Sequence, residues 1–203
     1  TTHTQARYFL PEVLLEFRQR YPSISIHLLQ GTPAQLVDML REGKADIAIC
    51  TEEIGNAPGI VSQKCYDWNH ALIAPVGHSL CEGELTLERM ASHPVLTYVF
   101  GFTGRSKLHN TFRQAGLEMD VSFAATDTDV ILSYVRLGFG AGIIAKMAYL
   151  HVHDDDLMLR DLSHLFPVST TLIGWTKHKY MKTYLAELVE LLLEYGESEN
   201  WYA

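Results

Sequence analysis

What most constrains the fold of this 203-residue chain is the order in which helical and extended apolar patterns alternate, restart and return. Leu10, Val13, Leu14 and Phe17 fall at helical spacing, with Pro11 suited to a first turn and Pro22 as a stop, so 8–21 reads as a helix. Residues 23–29 alternate polar side chains with Ile24, Ile26 and Leu28, the period of a half-buried strand. Thr32 and Pro33 open a helix over 34–42, as N-cap and first-turn proline, and Gly43 follows its end. The apolar run 46–50 reads as a buried parallel strand, and the helix–strand order predicts a parallel sheet. Strands follow at 60–66 and 69–76 and a short helix at 86–90. The alternation then restarts: strand 94–98, helix 105–115, strand 121–125, helix 128–137, strand 143–145. Strands at 157–161 and 170–175 precede a helix at 179–195, whose apolar face holds Tyr180, Tyr184, Leu188, Leu191 and Leu192. The restart near residue 77 and the return near 168 predict an α/β chain of two Rossmann-like subdomains joined by two crossover strands. The first would be 1–70 with 169–203, the second 75–166. A ligand is expected in the cleft between them.

Composition narrows the function classes. Sixteen Lys and Arg face twenty-four Asp and Glu, a formal charge of −8, and no basic run exceeds one residue. DNA binding needs several phosphate-neutralising cations on one face, so this chain is a poor DNA binder by itself. No apolar run approaches the ~20 residues of a membrane span, and no basic-then-apolar leader opens the sequence. Cys50, Cys65 and Cys81 are odd in number and form no C-x-x-C, which argues against a disulfide framework or a zinc site and for a reducing, cytoplasmic setting.

Three polar loops stand before helices. The first, Gly101-Phe102-Thr103-Gly104-Arg105-Ser106, combines flexible glycines, hydroxyl donors and a guanidinium at a helix N-terminus, a combination suited to a small anion. Thr103 also reads as a plain N-cap, and Arg105 as either a bidentate ligand for a carboxylate or oxyanion or a surface residue facing a nearby Glu. The second loop opens the chain, where Thr2, Thr4 and Gln5 are ligand candidates or the exposed face of a short strand. The third, Thr126-Asp127-Thr128-Asp129, offers Thr128 beside an acidic pair that reads better as N-cap and dipole complement than as acid–base machinery. Thr51 ends the strand 46–50, at the carboxyl end where open α/β sheets bind ligands. The run 138–142 follows a helix and precedes a strand, the reverse of a dinucleotide loop. His151 and His153 read as an exposed loop capable of adventitious metal binding. No nucleophile–base pair or metal set points to an enzyme. An exported solute-binding protein is the alternative reading.

In order, 1–8 (TTHTQARY), 30–33 (QGTP), 45–49 (ADIAI), 98–106 (YVFGFTGRS) and 125–131 (ATDTDVI) resemble the effector-binding domain of LysR-type transcriptional regulators, in the branch serving sulfur assimilation and cysteine biosynthesis. The resemblance covers nearly the whole chain. It implies a fold like that of type 2 periplasmic binding proteins, without a cofactor. It implies an effector that is sulfate, thiosulfate, N-acetylserine or O-acetylserine, with Thr2, Thr4, Gln5, Thr51 and Thr103 lining the anion site; the loop chemistry itself adds Gly104, Arg105 and Thr128 as ligand-binding candidates. The resemblance further implies a homodimer or homotetramer that meets DNA only through a winged helix-turn-helix preceding this chain, and no membrane partner.

Overall fold

The computed structural model describes residues 1–102, 104–150 and 155–198. The first elements are α1 (His3–Tyr8), α2 (Leu10–Arg20), α3 (Pro33–Arg41), β1 (Ala48–Thr51), β2 (Ile60–Trp68), β3 (His70–Pro75), α4 (Leu87–Ala91) and β4 (Val95–Tyr98). There follow α5 (Arg105–Gln114), β5 (Val121–Ala125), α6 (Thr128–Arg136), β6 (Ala141–Ala145), α7 (Met147–Leu150), β7 (Leu157–Asp161), β8 (Ser169–Thr176) and α8 (Thr183–Ser198). The chain divides into two compact units, Thr1–Asp67 with Ser169–Ala203, and Trp68–Val168.

The first unit opens differently from expectation. Thr2 is extended (φ −84°, ψ 162°) and Thr4 and Gln5 lie inside α1, so the opening is helical and not a strand. The helix expected over 8–21 is broken at Phe9, which separates α1 from α2. Pro11 accounts for the break, because it has no N–H to bond the carbonyl four residues back and fits only a first turn. The expected strand at 23–29 joins no sheet, and Ile26, Leu28 and Leu29 are exposed. In α3 the predicted cap is present as a full box: Gln35 N–H donates to Thr32 Oγ1 at 3.2 Å and Thr32 N–H to Gln35 Oε1 at 2.9 Å. Leu36, Val37 and Leu40 of this helix pack with Ala48 and Cys50 of β1 and with Ile54. The sheet has the order β1-β8-β2. Contrary to the parallel expectation, β1 and β8 are antiparallel, with Cys50 opposite Leu172 and Thr51 opposite Thr171. Tyr180 lies ahead of α8 and is 82% exposed, so it is no part of that helix's apolar face.

The second unit is a mixed sheet of order β5-β4-β6-β3-β7. β4 runs parallel to β5 and β6, while β3 runs antiparallel to β6 and β7. The carboxyl ends of β4, β5 and β6 therefore meet the amino end of β3 at one end of the sheet. Leu72, Val95, Ala141 and Ile143 from the strands pack with Leu108 and Phe112 of α5 and with Leu162 and Phe166. Gly140 (φ +144°) leads into β6 where a Cβ would stand 2.2 Å from the Pro94 carbonyl oxygen, so only glycine lets the two backbones approach this closely.

Candidate functional site

In the first unit, Thr2, Thr4, Gln5 and Thr51 are all buried. Gln5 is the best anchored: its Nε2 donates to Thr171 Oγ1 at 3.2 Å, and the Tyr66 hydroxyl donates to its Oε1. Burial moves the Tyr66 phenol above its ordinary pKa, against the opposing pull of its hydrogen bonds with Thr171 and Gln5. Antiparallel pairing sets Thr51 opposite Thr171, so Gln5 and Thr51 share a neighbour. Thr51 adopts an N-cap backbone ahead of a short 3-10 turn, yet its side chain makes no capping bond. Thr2 stands at the N-cap of α1 and its side chain also makes no capping bond. The Thr4 hydroxyl is buried and has no hydrogen-bond partner among the described residues. A cavity of about 320 Å³ in this unit is walled mainly by apolar residues such as Leu14, Phe17, Ile26 and Leu188, and none of these four polar residues lines it.

In the second unit, Arg105 and Thr128 are buried at the first positions of α5 and α6. Gly104 caps α5 in the left-handed conformation (φ 69°), and Thr103 lies outside the described residues, as do His151 and His153. Arg105 is 6% exposed, not the surface residue that was one expectation, and no carboxylate pairs with it among the described residues. Its Nη1 is buried without a hydrogen-bond partner, and its Cζ lies 4.4 Å from the Phe100 ring centroid. Desolvation lowers its pKa, and the positive end of the α5 dipole adds a second unfavourable contact for a cation. Lys146 is buried too, but Asp161 answers it at 3.5 Å. Thr128 Oγ1 bonds the Tyr98 hydroxyl at 2.7 Å, and that hydroxyl accepts the Ala145 N–H at 3.2 Å. Asp127 is an N-cap, its Oδ1 accepting the Val130 N–H at 3.0 Å.

Tyr66, Thr171 and Tyr98 were absent from the sequence-level candidates. Each lies within a strand, and its polar partner comes from a distant segment: Gln5 of α1 for Tyr66 and Thr171, and Thr128 of α6 for Tyr98.

The model of the LysR substrate binding domain matches residues 1–197. The chain belongs to this family. The LysR domain is 44% identical over 192 residues to the HTH-type transcriptional regulator SsuR of Burkholderia cenocepacia, covering 94% of this chain and 62% of that protein. It is likewise 44% identical over 191 residues to CysB of Haemophilus influenzae, covering 94% of this chain and 59% of that regulator. The crystal structure of the cofactor-binding domain of the Cbl regulator superposes with a TM-score of 0.90 at 38% identity, covering 94% of this chain and 84% of that one. The LysR domain thus spans about three fifths of the length of the curated relatives it matches, and those relatives are transcriptional regulators.

Proposed function

We propose that this LysR domain is the effector sensor of a transcriptional regulator of sulfur assimilation and cysteine biosynthesis, and that its effector is a small anion (sulfate or thiosulfate) or an acetylated serine. Arg105 carries this reading. A guanidinium withdrawn from water, set at a helix N-terminus and left without a carboxylate is a costly arrangement that a bound anion relieves. Gly104 and Thr128 complete the polar set of that unit. Thr2, Thr4, Gln5 and Thr51 form the set of the other, and the unanswered Thr4 hydroxyl supports a ligand role there. Hydrogen bonds to a charged group contribute about 1.5–3 kcal/mol each, so a few such donors suffice to hold sulfate against the acidic balance of the chain. The sulfur assignment rests on the resemblance of the five sequence segments to the cysteine-regulon branch. DNA contact is assigned to a winged helix-turn-helix outside this chain, and the working form to a homo-oligomer. An effector acts only through its differential affinity for two arrangements of such an assembly.

Thermal unfolding in sulfate- and phosphate-free buffer, with sulfate, thiosulfate, N-acetylserine and O-acetylserine added in turn, tests the reading. A ligand at 100 times its dissociation constant stabilises by about 2.7 kcal/mol, a rise in Tm of roughly 5–10 °C for a chain of this size. Arg105→Met abolishes the response to anions while leaving the ligand-free Tm unchanged or higher. Silence with all four ligands sinks the sulfur assignment.

A further inference from the structure

The ligand-facing chemistry assigned to the second unit so far is suited to negative charge; Asn69 adds something charge alone does not supply. It precedes β3 and is 1% exposed. Neither its Nδ2 nor its Oδ1 has a hydrogen-bond partner among the described residues. A buried side-chain amide idle at both of its polar atoms is a rare arrangement in a folded chain. Its backbone is fixed, because the Asn69 carbonyl accepts the Lys146 N–H at 2.9 Å. The preceding residue, Ala145, donates its own N–H to the Tyr98 hydroxyl, the partner of Thr128. Asn69 therefore stands at the same end of the sheet as Tyr98 and Thr128, one backbone link away from their hydroxyl pair.

We propose that Asn69 makes this end of the second unit prefer an acylated amino acid over an acceptor-only anion, by taking the ligand's amide N–H on Oδ1 while giving an Nδ2 proton to a ligand oxygen. The inference rests on the functional reading above. Sulfate at neutral pH carries no proton to donate. It can occupy Nδ2 but leaves Oδ1 idle and turned toward negative charge. N-Acetylserine has an amide N–H near carboxylate and acyl oxygens, so it satisfies both ends of the amide at once. Exchanging the positions of Nδ2 and Oδ1 changes nothing, since the amide presents one donor and one acceptor either way. A site that hydrogen-bonds a ligand group discriminates strongly against analogues lacking that group, because its own polar atoms are then stranded.

Calorimetric titration in sulfate-free buffer decides the matter, with N-acetylserine and sodium sulfate as probes against wild type and Asn69→Leu. The expected result is a loss of N-acetylserine affinity in Asn69→Leu at least tenfold greater than the loss of sulfate affinity, since sulfate forfeits only the Nδ2 bond while N-acetylserine forfeits two. The ligand-free Tm of the variant is expected to be no lower than wild type, because no hydrogen bond is lost. On wild type alone, N-acetyl-N-methylserine, which lacks the amide proton, should bind at least tenfold more weakly than N-acetylserine. Equal N-acetylserine binding by wild type and variant, or equal binding of the methylated and unmethylated ligands, overturns the role of Asn69. So does wild type that takes sulfate and refuses N-acetylserine, although the anion-sensing reading then stands. Wild type that takes neither probe defeats both.

Discussion

Thr4 and Gln5 are adjacent in sequence and equally buried, but they stand in opposite hydrogen-bonding circumstances. Gln5 is fastened by Thr171 and Tyr66, whereas the Thr4 hydroxyl has nothing to bond among the described residues. Gln5→Leu leaves the Tyr66 and Thr171 hydroxyls without this partner and is expected to destabilise the chain by about 1–3 kcal/mol. Thr4→Val removes an unanswered hydroxyl at nearly constant shape and is expected to leave stability unchanged or raised by about 1 kcal/mol. Urea unfolding of the two variants separates them. If both lose stability equally, the Thr4 hydroxyl has a partner in solution. At this scale the sequence was legible at helix starts, where Gly104, Arg105 and Thr128 were expected and stand. Tyr66, Tyr98 and Thr171 lie within strands and meet their polar partners across long sequence separations, and Thr171 reaches Thr51 only through antiparallel pairing that the helix–strand order did not suggest.

Caps and stops carry the agreement between sequence and elements. The Thr32 box and the Asp127 cap rest on side chain to backbone bonds spanning three residues, so a short window of sequence contains both partners. Asp127→Ala strips the cap of α6 and is expected to cost about 1 kcal/mol, read as a lower urea midpoint with unchanged slope. Such a cost would also mark Asp127 as a structural residue and not half of an acid–base pair. Longer patterns were less readable. The apolar spacing of 8–21 is continuous across Phe9, and the break depends on a single missing N–H at Pro11. The alternation at 23–29 has strand period, but a strand needs a neighbour to pair with, and that information lies outside the segment itself. The direction of β8 against β1 is equally a property of two distant segments.

For the whole molecule, alkaline pH is the sensitive direction. Burial, with a smaller contribution from Glu197, pushes the Cys65 thiol from 9.0 up to about 12, and burial raises the Tyr66 phenol as well. Both groups keep their protons in the folded chain after they would ionise in the unfolded one, so the unfolded state then binds fewer protons. This contribution to stability is complete below about pH 9 and is lost progressively as pH rises toward about 12. Urea midpoints at pH 7.5, 9 and 10.5 should fall in that order, and Cys65→Val should flatten the fall. A midpoint independent of pH across this window would contradict the burial of both groups. The two-unit fold and its LysR membership follow from patterns spread along the entire sequence, which is why they are legible without any single decisive residue.

All three thiols are buried, and none is in a disulfide. Alkylating reagents and small disulfides attack the exposed thiolate, so a folded molecule of this chain offers them almost nothing to react with. Each labelled sulfur then records an opening event, and the labelling rate measures how often the two units come apart internally, with Cys50 and Cys65 timing the first and Cys81 the second. A domain assigned to sulfur sensing thus carries its own sulfur as a clock of its breathing, insulated from the chemistry it is proposed to report.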